Sequence, residues 1–104
     1  MPNIDRITRM EKALDAASAA IKQLGEAANA YADAHAQLQE LTAYYSSEDW
    51  FSDLSDDEMG LLPRDLKRGV LSQDAVYDLL CDNDALLSML REILDNEKTA
   101  PDQI

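Results

Sequence analysis

Six carboxylates crowd the middle of the chain: Glu48, Asp49, Asp53, Asp56, Asp57 and Glu58, with no base among residues 46–60. Paired carboxylates can do acid–base work when they face each other across an apolar cleft. Asp49 and Asp53 are the pair that such chemistry would use. They lie in a polar run rather than on opposing apolar walls, so an enzyme built on the connector carboxylates is the reading the sequence favours least. A calcium loop is the other chemistry for dense acids. With Asp53, Ser55 and Asp57 at loop positions 1, 3 and 5, position 6 is Glu58 where Gly is required, and position 12 is Arg64 where Glu is required. Asp82-Asn83-Asp84 fails as well, because Ala85, Leu86 and Leu87 follow. His35 and Cys81 are the only residues of their types, so there is no zinc set and no Cys/His nucleophile. Cys81 has no neighbouring base to lower its pKa and reads as a small hydrophobe. No catalytic, metal-binding or cofactor-binding residue is expected, and no cofactor.

The elements that carry these residues are helical by composition. Ala and Leu dominate the apolar set, and Gly and Pro number three each in 104 residues. That length suits one domain with a modest core. The net charge of −12 is uneven: residues 46–60 alone contribute −6. Such a surface repels phosphate backbones, so nucleic acid is not expected as a partner. A basic protein partner would suit it. No apolar run approaches a membrane span, and the charged start MPNIDRITRMEKALD lacks the apolar core of a secretory signal. No membrane partner is expected. A single Cys fits a reducing compartment, so the expected localisation is cytoplasmic.

Residues 3–45 carry a heptad pattern. With Ile7 at position a, the a and d positions are Ile7, Met10, Leu14, Ala17, Ile21, Leu24, Ala28, Tyr31, His35, Leu38, Thr42 and Tyr45. Ala13, Ala20, Ala27 and Ala34 at g widen the stripe with small side chains, which let another helix approach closely. Asn3 is the expected N-cap, and Gly25 at an e position marks the place where a bend would fall. A helix of about 40 residues is roughly 60 Å long, against a radius of gyration of about 13 Å for a compact domain of this size. Either the helix bends or one end projects. The projecting end would carry Ile4, Ile7, Met10, Leu14 and Ala17, the candidate protein interface, most simply with a second copy. A homodimer through the N-terminal helix is therefore expected.

The connector, residues 46–72, should begin with a short helix capped by Ser46 or Ser47. Pro63 should open a second one, PRDLKR, that Gly69 ends in the left-handed conformation. Arg64, Lys67 and Arg68 should face the acids at 48–58. Ser72 should cap the last helix, residues 73–96, whose a, d and e positions are bulky: Val76, Leu79, Leu80, Leu86, Leu87, Leu90, Ile93 and Leu94, with Asn83 the polar exception. This stripe matches the small groove of the first helix, large against small. Tyr77 and Cys81 fall off it, so Trp50, Phe51 and Leu54 are expected to fold over them. Tyr45, Trp50, Phe51, Leu54, Pro63, Gly69, Ser72 and Tyr77 thus make a candidate structural clamp. Residues 97–104 should be a flexible tail.

Several of these stretches resemble a bacterial family catalogued as domain of unknown function 4298. The resembling residues are Tyr44-Tyr45-Ser46, Glu48-Asp49-Trp50, Asp53, Leu62-Pro63, Asp65-Leu66-Lys67-Arg68, Gly69-Val70-Leu71-Ser72 and Asp74-Ala75-Val76-Tyr77-Asp78-Leu79-Leu80, with Arg6-Ile7 and Met10-Glu11 near the start. The resemblance runs over roughly residues 5–90. It implies a small bacterial intracellular protein with no assigned activity, cofactor or catalytic residue. The fold expected is all-α: a long N-terminal heptad-patterned helix packed on a C-terminal helix and joined by a connector with short helices, one domain over residues 3–95. The function expected is a non-enzymatic interaction or structural module that acts through helix packing. An acidic decoy or inhibitor of a basic, nucleic-acid-binding protein is the alternative.

Overall fold

A computed structural model describes residues 1–99, with side chains through residue 97. The fold is all-α. Helix α1 spans Ile4–Tyr45, α2 spans Glu48–Glu58, a single 3₁₀ turn spans Gly69–Leu71, and α3 spans Gln73–Thr99. A long N-terminal helix and a C-terminal helix are thus joined by a connector built of short helical pieces. Helix α3 runs on through residues 97–99, which the sequence assigns to the tail, and residues 100–104 of the predicted tail lie outside the described residues. The chain divides into two units, Met1–Glu40 and Leu41–Ile104.

Within the first unit, α1 starts where its cap chemistry dictates. The Asn3 carbonyl accepts the first helical bond, from the Ile7 N–H at 3.1 Å. Its side-chain Oδ1 accepts from the Arg6 N–H at 2.9 Å, which satisfies one of the donors every helix start leaves over. The helix then runs unbroken through Gly25, where an added Cβ would meet nothing. One glycine costs an interior position only about 1 kcal/mol, which the flanking turns outweigh. No residue of α1 is buried. Tyr31 and Leu38 are half-buried, and every other residue of this unit is exposed. The heptad stripe is open from Ile4 to Ala28, a run that includes the candidate interface residues Ile4, Ile7, Met10, Leu14 and Ala17.

In the second unit the core is small and sits around the connector. Trp50, Leu71 and Val76 are its buried members. Helix α2 begins at the Ser47 cap, whose Oγ accepts from the Trp50 N–H at 3.4 Å and donates to the Tyr44 carbonyl at 2.6 Å. It ends in a Schellman motif. The Gly60 N–H donates to the Asp57 carbonyl and the Leu61 N–H to the Asp56 carbonyl, each at 3.0 Å. Gly60 adopts φ 72°, the left-handed conformation that only glycine enters cheaply. The left-handed residue is therefore Gly60, not Gly69.

The predicted helix over PRDLKR does not form. The Leu66 N–H bonds the Pro63 carbonyl at 3.2 Å in a single turn. The Arg68 guanidinium then takes the carbonyls of Leu66 and Pro63, and its Nη1 meets Asp57 Oδ1 at 2.5 Å. A six-residue helix is a poor nucleus on its own, and here an arginine side chain claims the carbonyls its ladder would need. Ser72 is extended, closes the 3₁₀ turn through its N–H to the Gly69 carbonyl at 3.0 Å, and hands the chain to α3.

Burial along α3 follows Val76, Leu80, Asn83, Leu87 and Leu90, the a and e positions at alternating steps of four and three. The d row expected to join them, Leu79, Leu86 and Ile93, is exposed, as is Leu94. Val76 is the anchor: once it points into the core, the d row is turned toward the rim.

Candidate functional site

Two places hold the residues singled out by sequence. The first is the N-terminal part of α1. Ile4, Ile7, Met10, Leu14 and Ala17 lie along one side of the helix, and Ile21 and Leu24 continue the row. All are exposed; Ile7 and Leu14 at the middle of the candidate interface keep 57% and 59% of their surface in water. Arg6 and Glu11 border this row, and neither makes an ion pair among the described residues.

The second place is the connector. Trp50 is the centre of it, 4% exposed. Its indole Nε1 donates to the Val70 carbonyl at 2.9 Å, so burial leaves no polar atom without a partner. Tyr45 meets it edge-on at 5.2 Å between ring centroids. The Tyr45 hydroxyl reaches on to the Gln73 carbonyl at 3.2 Å, linking the last turn of α1 to the first turn of α3. Leu54, one turn beyond Trp50, is half-buried. Phe51 contacts Trp50 edge-on, also at 5.2 Å, but stays exposed. Adjacent helix positions point about 100° apart, so Trp50 and Phe51 cannot both turn inward. Pro63, Gly69 and Ser72 are exposed and contribute through backbone bonds.

The expected cover over Tyr77 and Cys81 is missing. Tyr77 is 60% exposed and Cys81 is exposed. Trp50 packs beside the 3₁₀ turn instead, because the Val70 carbonyl offers its N–H a partner that the outer face of α3 lacks. Tyr77 and Cys81 are one turn apart. A hydrogen bond with the Cys81 thiol, and then its charge, hold the Tyr77 phenol above its ordinary pKa.

Two side-chain ties engage the acidic run, and one of them, Tyr44 with Asp53, sequence reasoning missed. Tyr44 donates its hydroxyl to Asp53 Oδ2 at 2.6 Å. That bond to the carboxylate, followed by partial burial and the negative charges of Asp53 and Asp49, pushes the Tyr44 pKa up to about 12. Arg68 grips Asp57, both side chains being about a quarter to a third exposed. The Arg68 contact is the one expected of the basic cluster facing the acids, whereas no local spacing announces the Tyr44–Asp53 tie, whose partners lie nine residues apart across a helix boundary. Both ties draw on the acidic run, so Asp53 and Asp57 are engaged within the chain rather than held out to solvent. Asp49, the other half of the acid–base pair considered above, is exposed. Among the described residues no three His, Cys, Asp or Glu side chains gather as a metal site would require. No helix among them is long and apolar enough to cross a membrane.

An all-α chain with a small core around a helix connector, and no metal-ligating cluster among the described residues, is what the fold and these two places define. Residues 7–93 match the family described as Domain of unknown function (DUF4298), and the chain belongs to that family. No curated protein and no solved structure matches the chain.

Proposed function

We propose that the protein is a non-enzymatic interaction module that works through helix packing, with the apolar row of α1 docking against a helix of another chain, most simply a second copy. One observation carries the reading: the row from Ile4 to Leu24 is exposed throughout, on a helix with no buried residue. Monomeric proteins rarely leave contiguous apolar patches of more than roughly a few hundred Å² in water, and each Å² so left forgoes about 25 cal/mol. The acidic run supports this reading over the decoy alternative, because Asp53 and Asp57 already serve Tyr44 and Arg68.

Sedimentation velocity over a wide concentration range, on the native chain and on the Ile7→Asp, Leu14→Asp double variant, is the test. The native chain is expected to self-associate. The double variant is expected to sediment as a monomer while Trp50 keeps its buried fluorescence. Association that the two aspartates leave untouched would sink the reading.

A further inference from the structure

We propose that α1 pairs with α1 of a second copy in parallel and in register over residues 4–24, with Arg6 of each chain set against Glu11 of the other. This rests on the interaction-module reading above and adds the partner and the geometry. The a positions of the exposed row are Ile7, Leu14 and Ile21, and its d positions are Met10, Ala17 and Leu24. Within parallel coiled coils, isoleucine at a, as at Ile7 and Ile21, with leucine at d, as at Leu24, favours two strands.

The flanks decide the orientation. The g positions are Arg6, Ala13 and Ala20, and the e positions are Glu11, Ser18 and Gly25. In a parallel, in-register pair, g of one heptad lies beside e of the next heptad on the other helix. Arg6 then meets Glu11 of the second copy, and two-fold symmetry makes the contact twice. Every other flanking pair, Ala13 with Ser18 and Ala20 with Gly25, is small and uncharged, which lets the helices approach closely. An antiparallel pair sets g beside g and e beside e. That arrangement brings Arg6 and Glu11 opposite residues of the far end and forms no pair of opposite charges. The Asn3 cap holds the Arg6 backbone in the first turn of the helix, so its side chain leaves from a helical position. Arg6 and Glu11 are both exposed and have no ion-pair partner among the described residues.

The test uses the full chain with Cys81→Ser, to remove the native thiol, carrying either Met10→Cys at d or Lys12→Cys on the opposite side. Under mild oxidation Met10→Cys is expected to form a covalent dimer at least about tenfold faster than Lys12→Cys, since a seam position of a parallel, in-register pair faces its own copy within disulfide reach and an f position faces away. A second measurement covers the case in which a thiol disturbs folding. Arg6→Glu alone and Glu11→Arg alone should each weaken self-association by about tenfold at low salt, and mixing the two chains should restore it as a heterodimer. A chain that dimerises through the row, with Met10→Cys linking no faster than Lys12→Cys and no recovery on mixing, overturns the parallel register and leaves the module reading standing. A chain that stays monomeric at every concentration overturns the second copy as partner. Dimerisation indifferent to Ile7→Asp with Leu14→Asp removes both.

Discussion

The N-terminal part of α1 and the connector are opposites in how they use apolar side chains. Residues 4–24 present a long, regular row and bury none of it. The connector has fewer apolar residues, irregularly spaced, and buries Trp50 and Leu71 together with Val76 at the start of α3. Regularity is therefore a poor guide to what the chain consumes internally. A heptad repeat offers a continuous surface that another helix can take up. A single large aromatic with a hydrogen-bond donor finds one place where both its ring and its N–H are satisfied.

The largest effect that would break the contrast is at Trp50. Trp50→Ala should destabilise the chain by about 3–5 kcal/mol, as removal of a buried aromatic does, read by urea denaturation. A loss below about 1 kcal/mol would mean that the connector is no more a core than α1 is. Next is Gly60→Ala. A Cβ at a left-handed position should cost about 1–2 kcal/mol, whereas Gly69→Ala, at ordinary φ and in open space, should stay within about 0.5 kcal/mol. Equal costs at the two glycines would contradict the Schellman ending of α2. In α1 the sign should reverse. Gly25→Ala should stabilise the helix by about 0.5–1 kcal/mol, since its Cβ meets nothing, and a thermal melt followed by circular dichroism would show it. A destabilising result would mean that the e flank at Gly25 is filled by something that needs the space.

The smallest effect is a titration. Tyr44 is pushed up to about 12 by its bond to Asp53. A phenol whose folded pKa exceeds its unfolded value, about 10, adds stability that is whole below pH 10 and is lost as pH rises through 12. Asp53→Asn should bring the Tyr44 step in near-UV absorbance down toward about 10. An unmoved step would remove the Tyr44–Asp53 tie from the connector.

Much of the local structure was legible. Asn3 and Ser47 announce helix starts because cap chemistry needs only the residue and the next turn. The all-α class followed from Ala, Leu and scarce Gly and Pro. PRDLKR misled because Pro at a first position and Gly beyond a last one are helix signals of local origin. What overrode them was Arg68, whose guanidinium reaches Asp57 on another element. The interface candidates Ile4, Ile7, Met10, Leu14 and Ala17 were readable as a row from spacing alone. The clamp was readable only in outline: Tyr45, Trp50 and Leu54 lie inward, while Phe51 and Tyr77 are exposed.

Sequence by itself determined where the helices begin, how long α1 runs and where the negative charge gathers, because capping, propensity and charge act within a few residues of their cause. Only the tertiary structure decided which face each helix buries. Trp50 rather than Phe51 turns inward, the row through Val76 and Leu80 rather than the one through Leu79 is covered, and Gly60 rather than Gly69 takes the left-handed turn. An amphipathic pattern allows neighbouring rows to exchange at small cost, and the choice falls to partners distant along the chain: the Val70 carbonyl for Trp50 and the Asp57 carboxylate for Arg68.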